Sequence, residues 1–167
     1  MHDAVLIYLL RERNGKKEVC LGLKKESARC FGVGKWNGFG GRVESGEFLR
    51  GAAVREIHEE CQIEIAACDL GLVAILEFSF PDLDPALDWD QTVYVYIVES
   101  FSGEPQETEE MQPAWFPLTV EHLPWEKMWS SDKLWVWLVL SGKKIKGQIS
   151  FKGRGDEVLS SEITPVK

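Results

Sequence analysis

The chain is short of basic charge, of cysteine and of long apolar runs, and each shortage closes off a class of function. It carries 19 Lys and Arg against 27 Asp and Glu, a formal net charge of −8. That balance argues against a broad basic surface for duplex nucleic acid. A small phosphorylated ligand remains compatible with that charge, because divalent cations bridge carboxylates to phosphates. The four cysteines, Cys20, Cys30, Cys61 and Cys68, form no close Cys-x-x-Cys pair, which argues for reduced, mostly structural thiols. No apolar run approaches membrane-spanning length and no charged-then-apolar signal segment opens the chain, so a cytoplasmic protein without a membrane partner is the simplest placement. There is no internal repeat and no linker long enough to divide the sequence. What remains is 167 residues with 44% apolar content, read as one globular domain spanning 1–167 with a substantial core.

Within that domain the patterning mixes strands and helices. Ala4–Leu10 is a continuous apolar run suited to a buried strand, and Val19–Leu23 follows it across Arg13-Asn14-Gly15-Lys16, a hairpin turn. Leu72–Phe80 and Thr92–Val98 read as two further strands, separated by the acidic, proline-containing loop Pro81–Asp90. Gly103–Thr108 is another loop and Ala114–Phe116 a short strand. After Ser130-Ser131-Asp132, any of which can cap a helix, Lys133–Leu140 is expected to be helical. Ile145–Phe151 adds a late strand, and the polar end from Gly153 is expected to be loosely held.

The chemistry concentrates in GRVESGEFLRGAAVREIHEECQI, Gly41 to Ile63. At about 100° per residue, Glu56, Glu59 and Glu60 stand at relative angles of about 0°, 300° and 40°, so three carboxylates share one helical face. Two unit charges about 4 Å apart repel by roughly 4 kcal/mol at an effective dielectric near 20. A counter-charge is therefore expected, and clustered oxygen ligands suit a hard cation such as Mg²⁺ or Mn²⁺. A solvated acidic face is the plain alternative. Two features favour the metal. Val54, Ile57 and Cys61 give the same helix a buried stripe, and Gly38, Gly40 and Gly41 lie just upstream, where backbone must approach a ligand closely. His58, on the same segment, reads as an exposed helix residue.

This segment resembles the Nudix signature: a Gly, five residues, a Glu, seven residues, Arg-Glu, an aliphatic residue, any residue, Glu-Glu, any residue, Gly, and an aliphatic residue. Gly41, Glu47, Arg55, Glu56, Ile57, Glu59, Glu60 and Ile63 all fall in place. The one departure is Gln62, where the family has a Gly that ends the helix in a left-handed conformation. Either Gln62 takes that conformation at a cost of about 1 kcal/mol, or the helix ends differently. The resemblance implies the Nudix α/β/α sandwich, an α/β fold with a mixed sheet and a loop-helix-loop signature. It also implies Mg²⁺-dependent cleavage of a phosphoanhydride, with Mn²⁺ as an alternative ion. Glu56, Glu59 and Glu60 would hold the cation, often with the backbone carbonyl near Gly40 or Gly41, and with Glu110 as a further ligand. Arg55 and Glu47 would form an orienting ion pair. The general base would be one of the signature glutamates or Glu110, since family members often supply a Glu from a loop outside the helix. Glu110 also reads as a surface carboxylate beside Glu107 and Glu109.

Outside the signature, Phe31-Gly32-Val33-Gly34-Lys35-Trp36-Asn37-Gly38-Phe39-Gly40-Gly41, Glu110-Met111-Gln112-Pro113-Ala114-Trp115-Phe116 and Met128-Trp129-Ser130-Ser131-Asp132 resemble blocks of the MutT-like branch that acts on oxidised purine nucleoside triphosphates in animals. The likeness runs from about Val5 to Phe151. It implies that Asn37 hydrogen-bonds the purine, Trp129 stacks on it, Phe31 helps wall the pocket and Asp132 reads the base edge. Lys35, Gly40 and Gly41 complete the substrate-binding set. An amide offers both donor and acceptor, an indole a flat stacking surface, and a carboxyl protonated in a closed pocket becomes a donor. The branch carries two adjacent aspartates where this chain has Ser131 and Asp132, which leaves the preferred oxidised base open. Trp125, Trp135 and Trp137 read as packing rather than ligand contacts. The expectation is a monomeric nucleoside triphosphate pyrophosphohydrolase that releases a monophosphate and pyrophosphate, clearing 8-oxo-dGTP or 2-oxo-dATP from the nucleotide pool. The rivals are a Nudix enzyme for nucleotide sugars, dinucleoside polyphosphates or capped RNA, and a Nudix-fold module that binds a nucleotide without cleaving it.

Overall fold

The computed structural model describes residues 1–26 and 31–167; the intervening four, Cys30 among them, lie outside the described residues. In chain order the strands and helices are β1 (His2–Arg13), β2 (Lys16–Lys24), β3 (Trp36–Asn37), β4 (Phe39–Arg42), α1 (Leu49–Cys61), β5 (Gly71–Ser79), β6 (Gln91–Val98), β7 (Met111–Pro117), α2 (Asp132–Leu140), β8 (Ile145–Lys152) and β9 (Glu157–Pro165). The β1–β2 hairpin turns through Asn14 and Gly15, at φ 54° and 73°. Two left-handed residues in a row match the natural twist of the flanking strands.

The strands form one mixed sheet in the order β3-β2-β1-β6-β5-β8-β9, with β4 also on β1 and β7 also on β2. β1 is its axis. One edge runs parallel to β6. The other is shared, Ala4–Ile7 pairing antiparallel with β4 and Leu9–Arg13 with β2. β2 leaves β1 and takes β3 and β7 as partners, so the segment 36–42 is wedged where the first two strands part. That wedge needs glycine, since a Cβ on Gly40 would lie 2.0 Å from the Val5 carbonyl oxygen and one on Gly38 2.7 Å from that of Ile7. Residues 37–41 are thereby held in register at the opening of the sheet.

Both faces of the sheet are covered, which explains why β1 reads as an unbroken apolar run. Ala4, Leu6, Tyr8 and Leu10 face a cluster closed by Trp135, Val136, Val139 and Leu140 of α2. Val5, Ile7 and Leu9 face Ala52, Ala53, Ile57 and Cys61 of α1. This is the expected α/β sandwich with a mixed sheet. Trp135 is core, and Trp125 and Trp137 pack against it. Cys20 and Cys61 are buried thiols, and Cys68 is exposed. No described helix is long and apolar enough to cross a membrane.

One expectation fails. The chain after Gly153 is not loose: β9 pairs antiparallel with β8 along its whole length, from Lys152↔Glu157 to Ile145↔Pro165. Most of its side chains are exposed, so the backbone ladder rather than apolar burial holds it, and no hydrophobic period marks it. The end of α1 settles the question at Gln62. Its φ of 62° and ψ of 20° are left-handed, and its N–H donates to the His58 carbonyl. The helix thus ends as it would with Gly, and Gln62 bears the steric cost.

Candidate active site

The acidic face of α1 is organised by one guanidinium. Arg55 donates from Nε and Nη2 to the two carboxylate oxygens of Glu47, each at 2.9 Å, the paired geometry that suits a guanidinium fork. Its Nη1 donates to Glu56 at 2.7 Å and Glu59 at 3.2 Å, and Nη2 also reaches the Arg42 carbonyl. Arg55 thus ties the loop before α1, the end of β4 and two signature glutamates together. The Arg55 hydrogen bond holds the Glu47 carboxyl below its usual range, and the bond to Glu47 in turn pushes the guanidinium pKa up.

The carboxylates facing the sheet are the strained ones. Desolvation raises the pKa of half-buried Glu56, against the opposing pull of Arg55. Glu60 is buried, and its Oε2 accepts from the Gly40 N–H at 2.8 Å. Burial pushes Glu60 up to about 8; the Gly40 bond and Lys24 oppose the rise, and the charges of Glu56 and Glu110 add to it. Gly41 lies directly against Glu56: a Cβ there would sit 2.6 Å from Oε1. Among the described residues no three acidic, imidazole or thiol groups are drawn into a closed cage, since Arg55 holds Glu56 and Glu59 while Glu60 turns to Gly40. The donors are nonetheless all oxygens, two of them on desolvated carboxylates under mutual repulsion, and that set fits a hard divalent cation.

Glu60, Gly40 and Gly41 also line a pocket of about 450 Å³ that runs between the sheet and the α2 end of the molecule. Phe31, Lys35, Asn37, Trp129 and Asp132 line the same pocket, so the substrate-binding residues expected from sequence meet part of the acidic site. Phe31 stacks on Trp129 with centroids 4.9 Å apart and lies edge-on to Trp89 at 4.2 Å. Lys35 Nζ sits 5.0 Å from the Trp129 ring centre. Asn37 Oδ1 accepts from the Gly38 N–H at 2.8 Å and from the Tyr8 hydroxyl at 3.4 Å. Asp132 is buried at the first turn of α2 and accepts from the Trp129 N–H at 3.0 Å. Burial raises its carboxyl pKa to about 7, opposed by that bond and by Lys35.

Glu56, Glu59 and Glu110 do not line this pocket. Glu59 and Glu110 are exposed, Glu110 at the entry to β7, where its carbonyl accepts from the Lys25 N–H. Its charge still reaches Glu60. His58 is exposed, as expected. Two pocket residues were not legible in the sequence, Lys24 at the end of β2 and Trp89 in the acidic loop before β6. Neither was Tyr8, buried in the apolar run of β1 behind the pocket, where its hydroxyl reaches Asn37. For Trp89 the only sequence signal is a large aromatic ring set between two aspartates, Asp88 and Asp90.

A family model described as the NUDIX domain matches residues 1–138. A zebrafish (Danio rerio) protein named oxidized purine nucleoside triphosphate hydrolase is 36% identical over 149 residues, covering 89% of this chain and 88% of its own. The mouse (Mus musculus) protein of the same name is 35% identical over 150 residues, covering 90% and 88%. Among solved structures, a MutT protein from Bacillus halodurans superposes with a TM-score of 0.76 over 98% of this chain and 97% of its own. At 18% identity that likeness concerns the fold. A MutT NUDIX hydrolase from Burkholderia pseudomallei, 28% identical, gives 0.54 over 74% of this chain and 88% of its own.

Proposed function

The chain belongs to the Nudix family, and from that premise we propose that it hydrolyses oxidised purine nucleoside triphosphates, 8-oxo-dGTP or 2-oxo-dATP, to the monophosphate and pyrophosphate. One observation carries the reading: Glu60 and Gly40 belong at once to the acidic helix site and to the aromatic pocket of Asn37, Trp129 and Asp132. A base held in that pocket places its phosphates toward the carboxylates. The curated relatives named for this activity align over nine-tenths of the chain, which supports the same substrate class.

Glu56, Glu59 and Glu60, with the backbone at Gly40 or Gly41, are the residues that would hold Mg²⁺, or Mn²⁺ in its place. When bound, the cation neutralises the phosphates and lowers the pKa of an attacking water. The chain's own groups do the rest. Arg55, locked by Glu47, keeps the first turns of α1 in place beneath the carboxylates. Phe31, Trp89 and Trp129 exclude water from the base, and Asn37 and Asp132 fix its edge. A carboxylate takes the proton from the attacking water, one of the signature glutamates or Glu110.

The test is pyrophosphate release with Mg²⁺ across 8-oxo-dGTP, 2-oxo-dATP, dGTP, dATP, ADP-ribose and a dinucleoside polyphosphate. A preference of about tenfold in kcat/KM for an oxidised purine, about 1.4 kcal/mol, is expected. Activity confined to the last two substrates would discard the pocket assignment while leaving the catalytic helix. No hydrolysis of any of them would favour a binding module.

A further inference from the structure

The orientation of the Asn37 amide is not free. A backbone N–H can only donate, so the atom 2.8 Å from the Gly38 nitrogen must be the amide oxygen. The Tyr8 hydroxyl, 3.4 Å from the same oxygen, is then its second donor. Tyr8 is fully buried in β1 and packs edge-on against Trp135 at 6.3 Å. Burial first, and then the charge of Asp132, raise its pKa well above the ordinary phenol value, so it stays protonated and able to donate. With Oδ1 occupied twice, the Asn37 group left for a ligand is Nδ2, which has no acceptor among the described residues and is not a buried orphan.

We propose that Tyr8 is a positioning residue that locks Asn37 with its amino group toward the pocket, so that the site demands a hydrogen-bond acceptor from the base edge. This rests on the reading that the pocket takes a purine. It deepens that reading by giving the polarity of the contact: a ring nitrogen or carbonyl is accepted, and an exocyclic amine at that place is refused. Rotation of the amide about its last torsion would break both of these bonds and set the Gly38 N–H against an NH₂ group. The long Tyr8 bond is therefore the weaker of the two restraints, and its removal loosens the amide without collapsing it.

The experiment is a double-mutant cycle on binding of 8-oxo-dGMP, followed by tryptophan fluorescence without divalent cation, with kcat and KM measured on the triphosphate. Tyr8→Phe is expected to weaken binding about threefold to tenfold, the range of one net hydrogen bond. The loss should appear in KM, with kcat changed less than twofold. In an Asn37→Ala background the same substitution should have no further effect. Equal losses in both backgrounds would show that Tyr8 acts through packing and overturn the proposal. Asn37→Asp serves as a second probe should Tyr8→Phe fold poorly: it presents an oxygen where the amine stood and should bind worse than Asn37→Ala. Binding by Asn37→Asp equal to wild type also overturns it. If the wild-type protein itself binds no oxidised purine monophosphate, the substrate reading falls and the polarity proposal with it. If the wild type binds and the cycle is additive, only the role of Tyr8 is lost.

Discussion

Replacing Asp132 by Asn should make the protein more stable at alkaline pH and leave it little changed in acid. Asp132 is fully buried, and burial raises its carboxyl pKa to about 7 from an ordinary value of 3.8. Between those two values the folded protein keeps the proton and the unfolded chain does not. Stability therefore falls as pH rises from about 4 to 7 and is flat above that. Each pH unit is worth about 1.4 kcal/mol, so the ionised carboxylate costs the fold about 4 kcal/mol at pH 8, an upper bound because the buried site can relax. Asn at this position is always neutral and keeps an oxygen for the Trp129 N–H. Urea unfolding of both proteins at pH 5 and pH 8.5 isolates the effect, since every other titrating group is common to the two. The stability advantage of Asp132→Asn should grow by about 3 kcal/mol across that interval, two pH units below the raised pKa. An advantage that is the same at both pH values would refute a neutral, desolvated Asp132, and with it the idea that this carboxyl offers a proton to the base near pH 7.

Further outcomes follow from the same geometry. Glu56→Gln should abolish turnover while leaving circular dichroism and Tm nearly unchanged; Mg²⁺-dependent activity within about tenfold of wild type would defeat the cation assignment. Gly41→Ala, whose Cβ would meet the Glu56 carboxylate at 2.6 Å, should cut kcat by at least about tenfold, and full activity would show that Glu56 is free to move aside. Trp89→Ala should raise KM about tenfold with a small change in kcat, as expected for loss of an aromatic wall worth about 1–3 kcal/mol per stacked base; an unchanged KM would remove Trp89 from the site. Gln62→Gly should raise stability by about 0.5–1 kcal/mol in thermal or urea unfolding, because it relieves a left-handed non-glycine residue at the end of α1. A loss instead would mean that the Gln62 side-chain bond to the His58 carbonyl outweighs the backbone strain.

The contrast between Glu56 and Tyr8 shows what was legible before the fold. Glu56, Glu59 and Glu60 sit on one face of a helix whose period is local, so spacing alone places them together. Their anchors, Arg55 and Glu47, are eight residues apart and lie within the same loop-helix unit. The strands of the sheet announce themselves because β1 is buried on both faces and β5 and β6 carry branched and aromatic runs. β9 does not, since an exposed edge strand is held by its backbone hydrogen bonds, and these leave no mark on side-chain composition. Trp89 and Lys24 belong to the pocket only because β2 parts from β1 and the loop before β6 folds back over the opening. No periodicity encodes either event.

Local sequence thus announced the acidic helix, its orienting arginine, the glycines of β4 and the strands of the core, because each leaves a spacing or an apolar run that is read along the chain itself. Tertiary structure decided the rest. It buried Glu60 against the Gly40 amide, desolvated Asp132, aimed the Asn37 amine and joined three distant aromatic rings into one wall. Burial and orientation are properties of the space around a side chain, and that space is made by segments distant in the chain: Gly40 lies 20 residues from Glu60 and Tyr8 lies 29 from Asn37.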